Sequence, residues 1–190
     1  MSVLSLMRCM NSQNNITLES KDLITVLISL GANLPSRFGT PIQTLSAAIT
    51  SIANFASGKL LTSSFYQTEA VDCAPETPDF INAVVAVQLP KLITATELLG
   101  FLQELEKEFG RANDDAKNSP RKLDLDVLYF GDQLVTSREL EIPHPRAAER
   151  RFVIEPLTEI APNLVLPGQS VSVQALLESL PIYPKVTKLH

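Results

Sequence analysis

Two amphipathic helices with clear start signals constrain the fold of this chain more than any other feature. Thr40 and Gln43 have the spacing of a capping box, and Thr94 and Glu97 repeat that spacing further along the chain. Apolar residues then recur at helical intervals: Ile42, Leu45, Ile49, Ile52 and Phe55 after the first box, and Leu98, Leu102, Leu105 and Phe109 after the second. Because each helix has one apolar face, each needs a sheet or another helix to cover that face.

Apolar segments before, between and after these helices predict strands. They are Leu23–Leu30, Leu60–Gln67, Phe80–Leu89 and Leu123–Phe130. The resulting order, β-α-β-β-α-β, is typical of the split βαβ, ferredoxin-like arrangement, an α+β fold in which helices pack on an antiparallel sheet.

The C-terminal third predicts further elements that would cover more of the sheet. Gly131 and Asp132 indicate a hairpin turn that leads the chain back to Thr136. Residues 147–160 are expected to form a helix that ends before Pro162, and residues 173–180 a last short helix.

Length and composition indicate one domain. The chain has 190 residues, of which 45% are hydrophobic, enough for a single buried core over residues 23–190. Residues 1–22 are mostly polar and aperiodic, and we expect a disordered N-terminal extension there. Cys9 and Cys73 are the only cysteines, so a disulfide framework is excluded and a cytoplasmic location is expected.

Charge argues against nucleic acid and membrane as partners. The net charge is −5, and although nine of the sixteen basic residues fall between Lys107 and Arg151, nine acidic residues share that interval. This pattern indicates discrete pairing of cations with acids and phosphates instead of a continuous basic stripe. The longest uncharged run, residues 38–58, belongs to the first amphipathic helix and predicts no membrane span.

Two aspartates on one apolar strand predict a metal site. Because side chains alternate along a strand, Asp124 and Asp126 are expected on the face of Leu128 and Phe130, opposite Leu123, Leu125, Val127 and Tyr129. An ordinary strand with its polar face in water is the alternative. The flanking residues are too apolar for an exposed face, however, and two desolvated acids repel each other unless a cation offsets them. Oxygen ligands alone favour Mg²⁺ over zinc.

Several polar residues around this strand are candidates for binding an anionic or heterocyclic substrate. Arg111 and Arg121 stand at the two ends of one predicted loop, which fits an anion held between guanidinium groups and metal, although most arginines are surface residues. His144 lies between two prolines and could bind phosphate or be structural. Asn82, near the start of an apolar strand, needs hydrogen-bond partners that a flat heterocycle with donor and acceptor edges would supply.

Ordered sequence blocks at characteristic spacing give the chain a family resemblance. They are Leu30-Gly31-Ala32-Asn33-Leu34, Ser64-Phe65-Tyr66-Gln67-Thr68, Pro78-Asp79-Phe80-Ile81-Asn82-Ala83, Gly110-Arg111, Pro120-Arg121-Lys122-Leu123-Asp124-Leu125-Asp126, Ile142-Pro143-His144-Pro145 and Arg150-Arg151-Phe152. From about Leu23 to Leu180, the chain resembles the 6-hydroxymethyl-7,8-dihydropterin pyrophosphokinases of folate biosynthesis.

The resemblance implies that the terminal diphosphate of ATP is transferred to the pterin hydroxymethyl group with release of AMP. It implies that Asp124 and Asp126 hold two Mg²⁺ ions and that Arg111 and Arg121 act on the moving phosphates. The pterin-binding residues it implies are Thr68, Val71, Phe80, Asn82 and Phe152. The ATP-binding residues it implies are Gln103, Glu106, Lys117, Val127, His144 and Arg150. We expect the enzyme to be monomeric.

Two other functions remain open at this point. One is a ferredoxin-like binding or regulatory domain that keeps the pocket without chemistry, and the other is a different Mg²⁺-dependent phosphotransferase acting on another flat heterocycle. The chain also departs from the family at Asn118 and Ser119, where an aromatic residue and a glycine or alanine are frequent. Because loops of this kind close over reacting groups, an effect on rate and ATP affinity is expected.

Overall fold

The computed structural model of the chain describes residues 20–70, 74, 76–111 and 119–189. A 3-10 turn at Ser20–Asp22 leads into the first strand. The predicted N-terminal extension lies outside the described residues up to residue 19. The same is true of four residues named above: Val71, Cys73, Lys117 and Asn118.

The main sheet is antiparallel throughout and follows the predicted order of elements. Its strands are β1 (Leu23–Ala32), β2 (Leu60–Thr62), β3 (Tyr66–Thr68), β4 (Phe80–Pro90), β5 (Asp124–Phe130) and β8 (Val186–Lys188), arranged β5-β1-β4-β3-β8 with β2 also paired to β4. A separate two-stranded sheet joins β6 (Val135–Thr136) to β7 (Glu141–Ile142). The helices are α1 (Pro41–Phe55), α2 (Ala95–Glu108), α3 (Arg151–Ile160) and α4 (Val173–Ser179). The α+β, ferredoxin-like prediction is therefore confirmed.

Both predicted capping boxes are formed, so α1 and α2 begin where the sequence indicated. Thr40 and Thr94 each accept a hydrogen bond from the backbone N–H three residues later, and the Gln43 and Glu97 side chains bond back to the cap. The two helices cover one face of the sheet, where Phe55 stacks on Phe101 with 4.0 Å between ring centroids. Such a pair contributes about 0.5–1.5 kcal/mol beyond the area it buries.

The opposite face of the sheet is covered by α3 and α4. Leu27, Val84 and Leu128 of the sheet pack with Ile154 and Val173 of these helices in a second apolar cluster. The predicted helix over residues 147–160 is in fact two pieces, a 3-10 turn at Ala147–Glu149 and then α3, with Arg150 extended between them. Since the N-terminus of α3 lies at the end of the central strands, this break places Arg150 and Phe152 beside the ends of β1 and β5.

The predicted alternation along β5 holds through Leu128 and is wrong at Tyr129 and Phe130. Ile28 of β1 pairs with Val127 and Leu27 pairs with Tyr129, so Leu128 is the extra residue of a β-bulge. Tyr129 therefore joins the cluster under α3 and α4, while Phe130 packs under α1 and α2. Asp124 and Asp126 precede the bulge, so they share one face as predicted.

Three other sequence-based boundaries need correction. The strand predicted over Leu60–Gln67 is split into β2 and β3, and between them the Ser63 hydroxyl, in place of a backbone carbonyl, accepts the Val84 backbone N–H. The chain after Gly131 does not return along β5, since Val135 and Thr136 pair with β7 instead. Strand β8, which pairs with β3 at the sheet edge, was not predicted. In the described part of the chain, no helix is both long and apolar enough to cross a membrane.

Candidate active site

A cleft of about 510 Å³ opens where the central strands end near the N-terminus of α3. Ten of the fifteen predicted site residues line it: Thr68, Phe80, Asn82, Arg111, Arg121, Asp124, Asp126, His144, Arg150 and Phe152. The C-terminal segment at Pro181, Tyr183 and Pro184 forms part of its wall.

Strand register explains why these residues meet. Gly31 of β1 pairs with Asn82 of β4 on one side and with Asp124 of β5 on the other. Directly paired residues share a face of the sheet, so the carboxamide and the carboxylate flank Gly31 on the cleft side. A Cβ on Gly31 would lie 3.1 Å from Asn82 Oδ1, and glycine at this position therefore keeps the floor of the cleft open.

Asp124 is paired with two arginines. Its Oδ1 accepts hydrogen bonds from Arg121 Nη1 at 2.8 Å and from Arg111 Nη1 at 3.0 Å. Arg111 also donates to Glu106, whose carboxylate accepts the Leu125 backbone N–H at 2.8 Å. Burial raises the pKa of Glu106 to about 7, although the Leu125 N–H and the Arg111 guanidinium oppose the rise. Arg111 is thus held between two carboxylates at the cleft wall.

Asp126 has weaker partners. Its Oδ2 lies 3.9 Å from His144 Nε2 and 3.8 Å from Arg150 Nη1, which is beyond hydrogen-bond distance. Burial raises the pKa of Asp126, and the neighbouring Asp124 carboxylate raises it further, against the lowering effect of His144 and Arg150. A further cation at this carboxylate would therefore be stabilised.

His144 is oriented toward Asp126 by its own backbone. Its N–H donates to the Leu128 carbonyl at 2.9 Å, and its Nδ1 accepts the Arg146 backbone N–H at 3.2 Å. Because Nδ1 is an acceptor, the neutral ring carries its proton on Nε2, the nitrogen nearest Asp126. Burial lowers the pKa of His144, which favours this neutral form. His144 can therefore donate one hydrogen bond into the cleft without being charged.

The acidic pair fits Mg²⁺ bound together with a nucleotide better than a site built from protein ligands alone. Among the described residues, no three His, Cys, Asp or Glu side chains converge as a metal site. Mg²⁺ is commonly held by one or two carboxylates together with substrate phosphates, and Asp124 and Asp126 supply those carboxylates. The raised pKa of Asp126 agrees with a site that gains from an added cation.

The other side of the cleft suits a flat polar ring. Asn82 is 7% exposed and donates from Nδ2 to Thr68 Oγ1 at 2.7 Å. Phe80 and Phe152 both line the same space, and the Arg150 guanidinium lies 5.4 Å from the centroid of the Phe152 ring. The combination of aromatic faces and one buried amide can stack a heterocycle and read its edge.

Three predicted ATP-binding residues among those described do not line the cleft. Gln103 is exposed on α2, and the Glu106 carboxylate is occupied by Arg111 and Leu125. The Val127 side chain is buried in the core. Leu125 directs its backbone N–H away from β1, and by the two-residue period of a strand Val127 does the same, so only its backbone is available to a ligand.

Sequence reasoning missed two cleft arginines. Arg146 lines the cleft, and no described carboxylate lies within 4.0 Å of its guanidinium group. Arg151 also lines it, but its guanidinium donates to Glu155 at 2.8 Å and to the Leu180 and Pro181 carbonyls at 3.4 Å. The signals in the sequence were the position of Arg146, two residues after His144, and the place of Arg151 in the block Arg150-Arg151-Phe152.

Comparison with known proteins agrees with this geometry. Residues 27–162 match the family described as 7,8-dihydro-6-hydroxymethylpterin-pyrophosphokinase (HPPK). A Haemophilus influenzae 2-amino-4-hydroxy-6-hydroxymethyldihydropteridine pyrophosphokinase is 37% identical over 150 residues, which are 78% of this chain and 89% of that protein. The enzyme of the same name from Synechocystis is 35% identical over 155 residues, 81% of this chain and 75% of its own length.

Solved structures share the fold. A Plasmodium falciparum HPPK-DHPS structure, a triple mutant with STZ-DHP, superposes with a TM-score of 0.62 at 13% sequence identity. The match covers 87% of this chain and 45% of the Plasmodium chain, so this chain spans less than half of that protein. At this identity, the structural likeness concerns the fold alone.

Proposed function

This chain belongs to the 7,8-dihydro-6-hydroxymethylpterin-pyrophosphokinase family, and we propose that it transfers the terminal diphosphate of ATP to the hydroxymethyl group of 6-hydroxymethyl-7,8-dihydropterin. The products are AMP and the pterin diphosphate. The observation that carries the proposal is the strand register that sets Asn82 and Asp124 on either side of Gly31. One groove thereby joins a pocket for a flat ring to a cluster of acids and arginines.

The pterin is proposed to occupy the aromatic side of the cleft. Phe80 and Phe152 would stack on its two faces. Asn82 donates to Thr68, and its Oδ1 accepts no hydrogen bond from the described residues, so the carbonyl end of this amide can accept from an N–H on the pterin edge. Thr68 holds the carboxamide in that orientation. Val71 remains a predicted pterin contact outside the described residues.

The triphosphate is proposed to lie along the charged side. Arg111 and Arg121 present guanidinium groups beside Asp124, and His144 and Arg150 lie beside Asp126. We add Arg146 to this set, because it lines the cleft and its guanidinium group has no carboxylate partner in the described structure. Arginine suits this role because its planar fork matches phosphate oxygens.

Asp124 and Asp126 are the residues that would hold Mg²⁺, which we expect as two ions. When bound, these ions would neutralise part of the phosphate charge. The protein itself contributes alignment. The pterin hydroxyl oxygen attacks the β-phosphorus, a new oxygen–phosphorus bond forms, the bond from the β-phosphorus to the oxygen of the α-phosphate breaks, and the hydroxyl proton is released. Holding two substrates in line for such a displacement can lower the barrier by about 7–11 kcal/mol. No covalent protein nucleophile is needed.

The remaining nucleotide contacts follow from where each residue lies. Val127 can reach a nucleotide only through its backbone at the outer edge of β5. Glu106 would act on the nucleotide through Arg111, since that arginine and the Leu125 N–H already use its carboxylate. Contacts of Gln103 and Lys117 with ATP, and the monomeric state, stay predictions.

One assay tests the proposed function. The protein is mixed with ATP, Mg²⁺ and 6-hydroxymethyl-7,8-dihydropterin, and the nucleotides and pterins are resolved by chromatography. We expect AMP to form in step with pterin diphosphate, and omission of either Mg²⁺ or the pterin to abolish both. ADP formation would contradict diphosphate transfer and indicate simple phosphoryl transfer, and pterin binding without turnover would indicate a binding domain.

A further inference from the structure

Asn33 links two segments of the chain that carry opposite walls of the cleft. It directly follows β1 and is 4% exposed. Its side-chain Oδ1 accepts the Arg121 backbone N–H at 2.7 Å, and its Nδ2 donates to the Pro78 carbonyl at 3.0 Å. The Asn33 backbone N–H also donates to the Arg121 carbonyl at 3.0 Å, and the Leu34 N–H reaches the same oxygen at 3.2 Å.

The orientation of this amide is fixed by its partners. A backbone N–H can only donate and a carbonyl can only accept, so the Asn33 oxygen must face Arg121 and its nitrogen must face Pro78. Aspartate would keep the acceptor for Arg121 and lose the donor to Pro78. Alanine would lose both. A carboxamide is therefore the side-chain group of this size that makes both bonds.

Each linked segment carries one side of the proposed reaction. Pro78 stands two residues before Phe80 and four before Asn82, the residues of the pterin side. Arg121 is itself a residue of the phosphate side, because its guanidinium donates to Asp124 at 2.8 Å. The Asn33 side chain lies between these two segments and does not line the cleft. We infer that Asn33 is a positioning residue that keeps the pterin side and the phosphate side in register.

This inference rests on the proposed function and deepens it. If the pterin hydroxyl and the β-phosphorus are bound by different segments, the transfer rate depends on the relative placement of those segments. Binding of each substrate alone does not require these two segments to be correctly placed relative to one another. Loss of Asn33 should therefore lower kcat at saturating substrates while each KM changes little.

Ser63 provides a matched control. It is 6% exposed, accepts the Val84 backbone N–H at 3.0 Å and donates to the Ser64 carbonyl at 2.8 Å, so it also links two backbone groups from a buried position. Ser63 does not line the cleft, and the segments it joins carry neither arginine nor aspartate of the phosphate side. Ser63→Ala should thus lower thermal stability without changing kcat.

The experiment compares Asn33→Ala, Asn33→Asp and Ser63→Ala with the unaltered chain. Displacement of one substrate by about 1 Å can cost about 100-fold in rate, and we expect a loss of that order in kcat for Asn33→Ala, with each KM within about threefold. Asn33→Asp should lose about tenfold, because the bond to Arg121 survives. Amide hydrogen exchange at Arg121 should accelerate in Asn33→Ala and stay slow in Asn33→Asp.

The outcomes separate the inference from the proposed function. An unaltered chain that releases no AMP contradicts the proposed function. The role of Asn33 is then judged by amide hydrogen exchange, and exchange rates at Arg121 and Phe80 that are unchanged in Asn33→Ala would overturn the linkage. If the unaltered chain turns over and the Asn33 variants behave like Ser63→Ala, the positioning role alone is wrong. Should Asn33→Ala fail to fold, Asn33→Asp decides, and a kcat equal to that of the unaltered chain would overturn the inference.

Discussion

Two carboxylates near opposite edges of the main sheet, Glu159 beside β3 and β8 and Asp126 on β5, have similar exposure but pKa values that shift in opposite directions. Their side chains are 30% and 38% exposed. Glu159 accepts hydrogen bonds from the Ser64 N–H and hydroxyl, the Tyr66 hydroxyl and Lys188 Nζ, all at 2.8–3.1 Å. Asp126 has its two cationic partners at 3.8 and 3.9 Å.

The pKa values of the two groups move in opposite directions. Burial alone would raise the pKa of Glu159, but bonds from Lys188, Ser64 and Tyr66 together lower it to about 2. Burial and the adjacent Asp124 raise the pKa of Asp126. A carboxylate whose lone pairs are filled by protein donors is a structural anchor, here tying β8 and α3 to β3. A carboxylate left short of donors beside another acid has capacity for a bound cation.

The largest expected effect is on turnover at Asp126. Asp126→Asn keeps the shape of the side chain and removes its charge, so it should lower kcat by roughly 10³-fold, because transition-state charge loses its support. Pterin affinity should stay within about threefold, since Asn82 and the aromatic residues are untouched. Steady-state kinetics and fluorescence titration with the pterin measure the two quantities.

Glu159→Gln is the control for this experiment. It removes a carboxylate of similar exposure outside the cleft and should leave kcat unchanged. Near-normal turnover of Asp126→Asn at saturating Mg²⁺ and substrates would show that the metal assignment is wrong.

The next effect concerns nucleotide affinity. Arg146→Ala should raise the KM for Mg-ATP by about tenfold or more, because a hydrogen bond to a charged group is worth about 1.5–3 kcal/mol. Arg138→Ala, an exposed arginine outside the cleft, serves as the control and should change nothing. Equal KM values for the two variants would remove Arg146 from the phosphate-binding set.

The free energy of unfolding should respond to a change at Glu159, outside the cleft. Glu159→Gln is expected to lower the free energy of unfolding at pH 7 by about 1–2 kcal/mol, a value reduced for solvent screening. Because the folded pKa of Glu159 lies below its ordinary value, the stabilisation is present above about pH 4.5 and fades as the pH falls toward 2. Urea unfolding of the variant and the unaltered chain at pH 7 and pH 3 measures the difference.

An exposed ion pair provides a reference for the small loss of unfolding free energy that a surface carboxylate causes when it is removed. Arg37 and Glu108 pair at 2.6 Å with side chains 59% and 57% exposed. Glu108→Gln should change the free energy of unfolding by at most about 0.5 kcal/mol. If Glu159→Gln is no more destabilising than Glu108→Gln, Glu159 is no anchor.

The smallest expected effect is on the stability of the ligand-free protein when Asp126 is replaced. Its sign is opposite to that expected for Glu159→Gln. The folded pKa of Asp126 is raised, so its ionised form costs stability in the ligand-free chain once the pH exceeds the ordinary pKa of an aspartate. Asp126→Asn should therefore raise the thermal midpoint of the ligand-free protein at pH 7 and leave it unchanged at pH 3. A lower midpoint at pH 7 would contradict the idea of an under-compensated carboxylate.

Local signals in the sequence predicted the frame of the molecule. Thr40 and Thr94 mark helix starts because capping involves residues only three positions apart, and helical periodicity shows which face is buried. Asp124 and Asp126 were predicted to share a face because strand alternation is local as well. The family resemblance supplied the residue roles that local patterns left open.

Long-range features could not be predicted in this way. The bulge at Leu128 depends on how β5 pairs with β1, and the anchor at Glu159 joins residues far apart in the chain. Asn33 was visible only as a member of a sequence block, because its two partners, Pro78 and Arg121, come together only in the folded sheet. Sequence patterns and the family resemblance predicted which residues carry chemistry, whereas the positioning contacts needed the structure.

Cation binding at the acidic pair tests the account most directly. Mn²⁺, a visible substitute for Mg²⁺ in electron paramagnetic resonance, is titrated into the protein with an ATP analogue whose α,β-bridge is a methylene group and cannot be cleaved. We predict two bound Mn²⁺ per chain in the unaltered protein and in Glu159→Gln, and loss of at least one in Asp126→Asn. Two Mn²⁺ retained by Asp126→Asn, or no binding beyond that of the nucleotide alone in the unaltered protein, would contradict the assignment of Asp124 and Asp126 as the metal-binding pair.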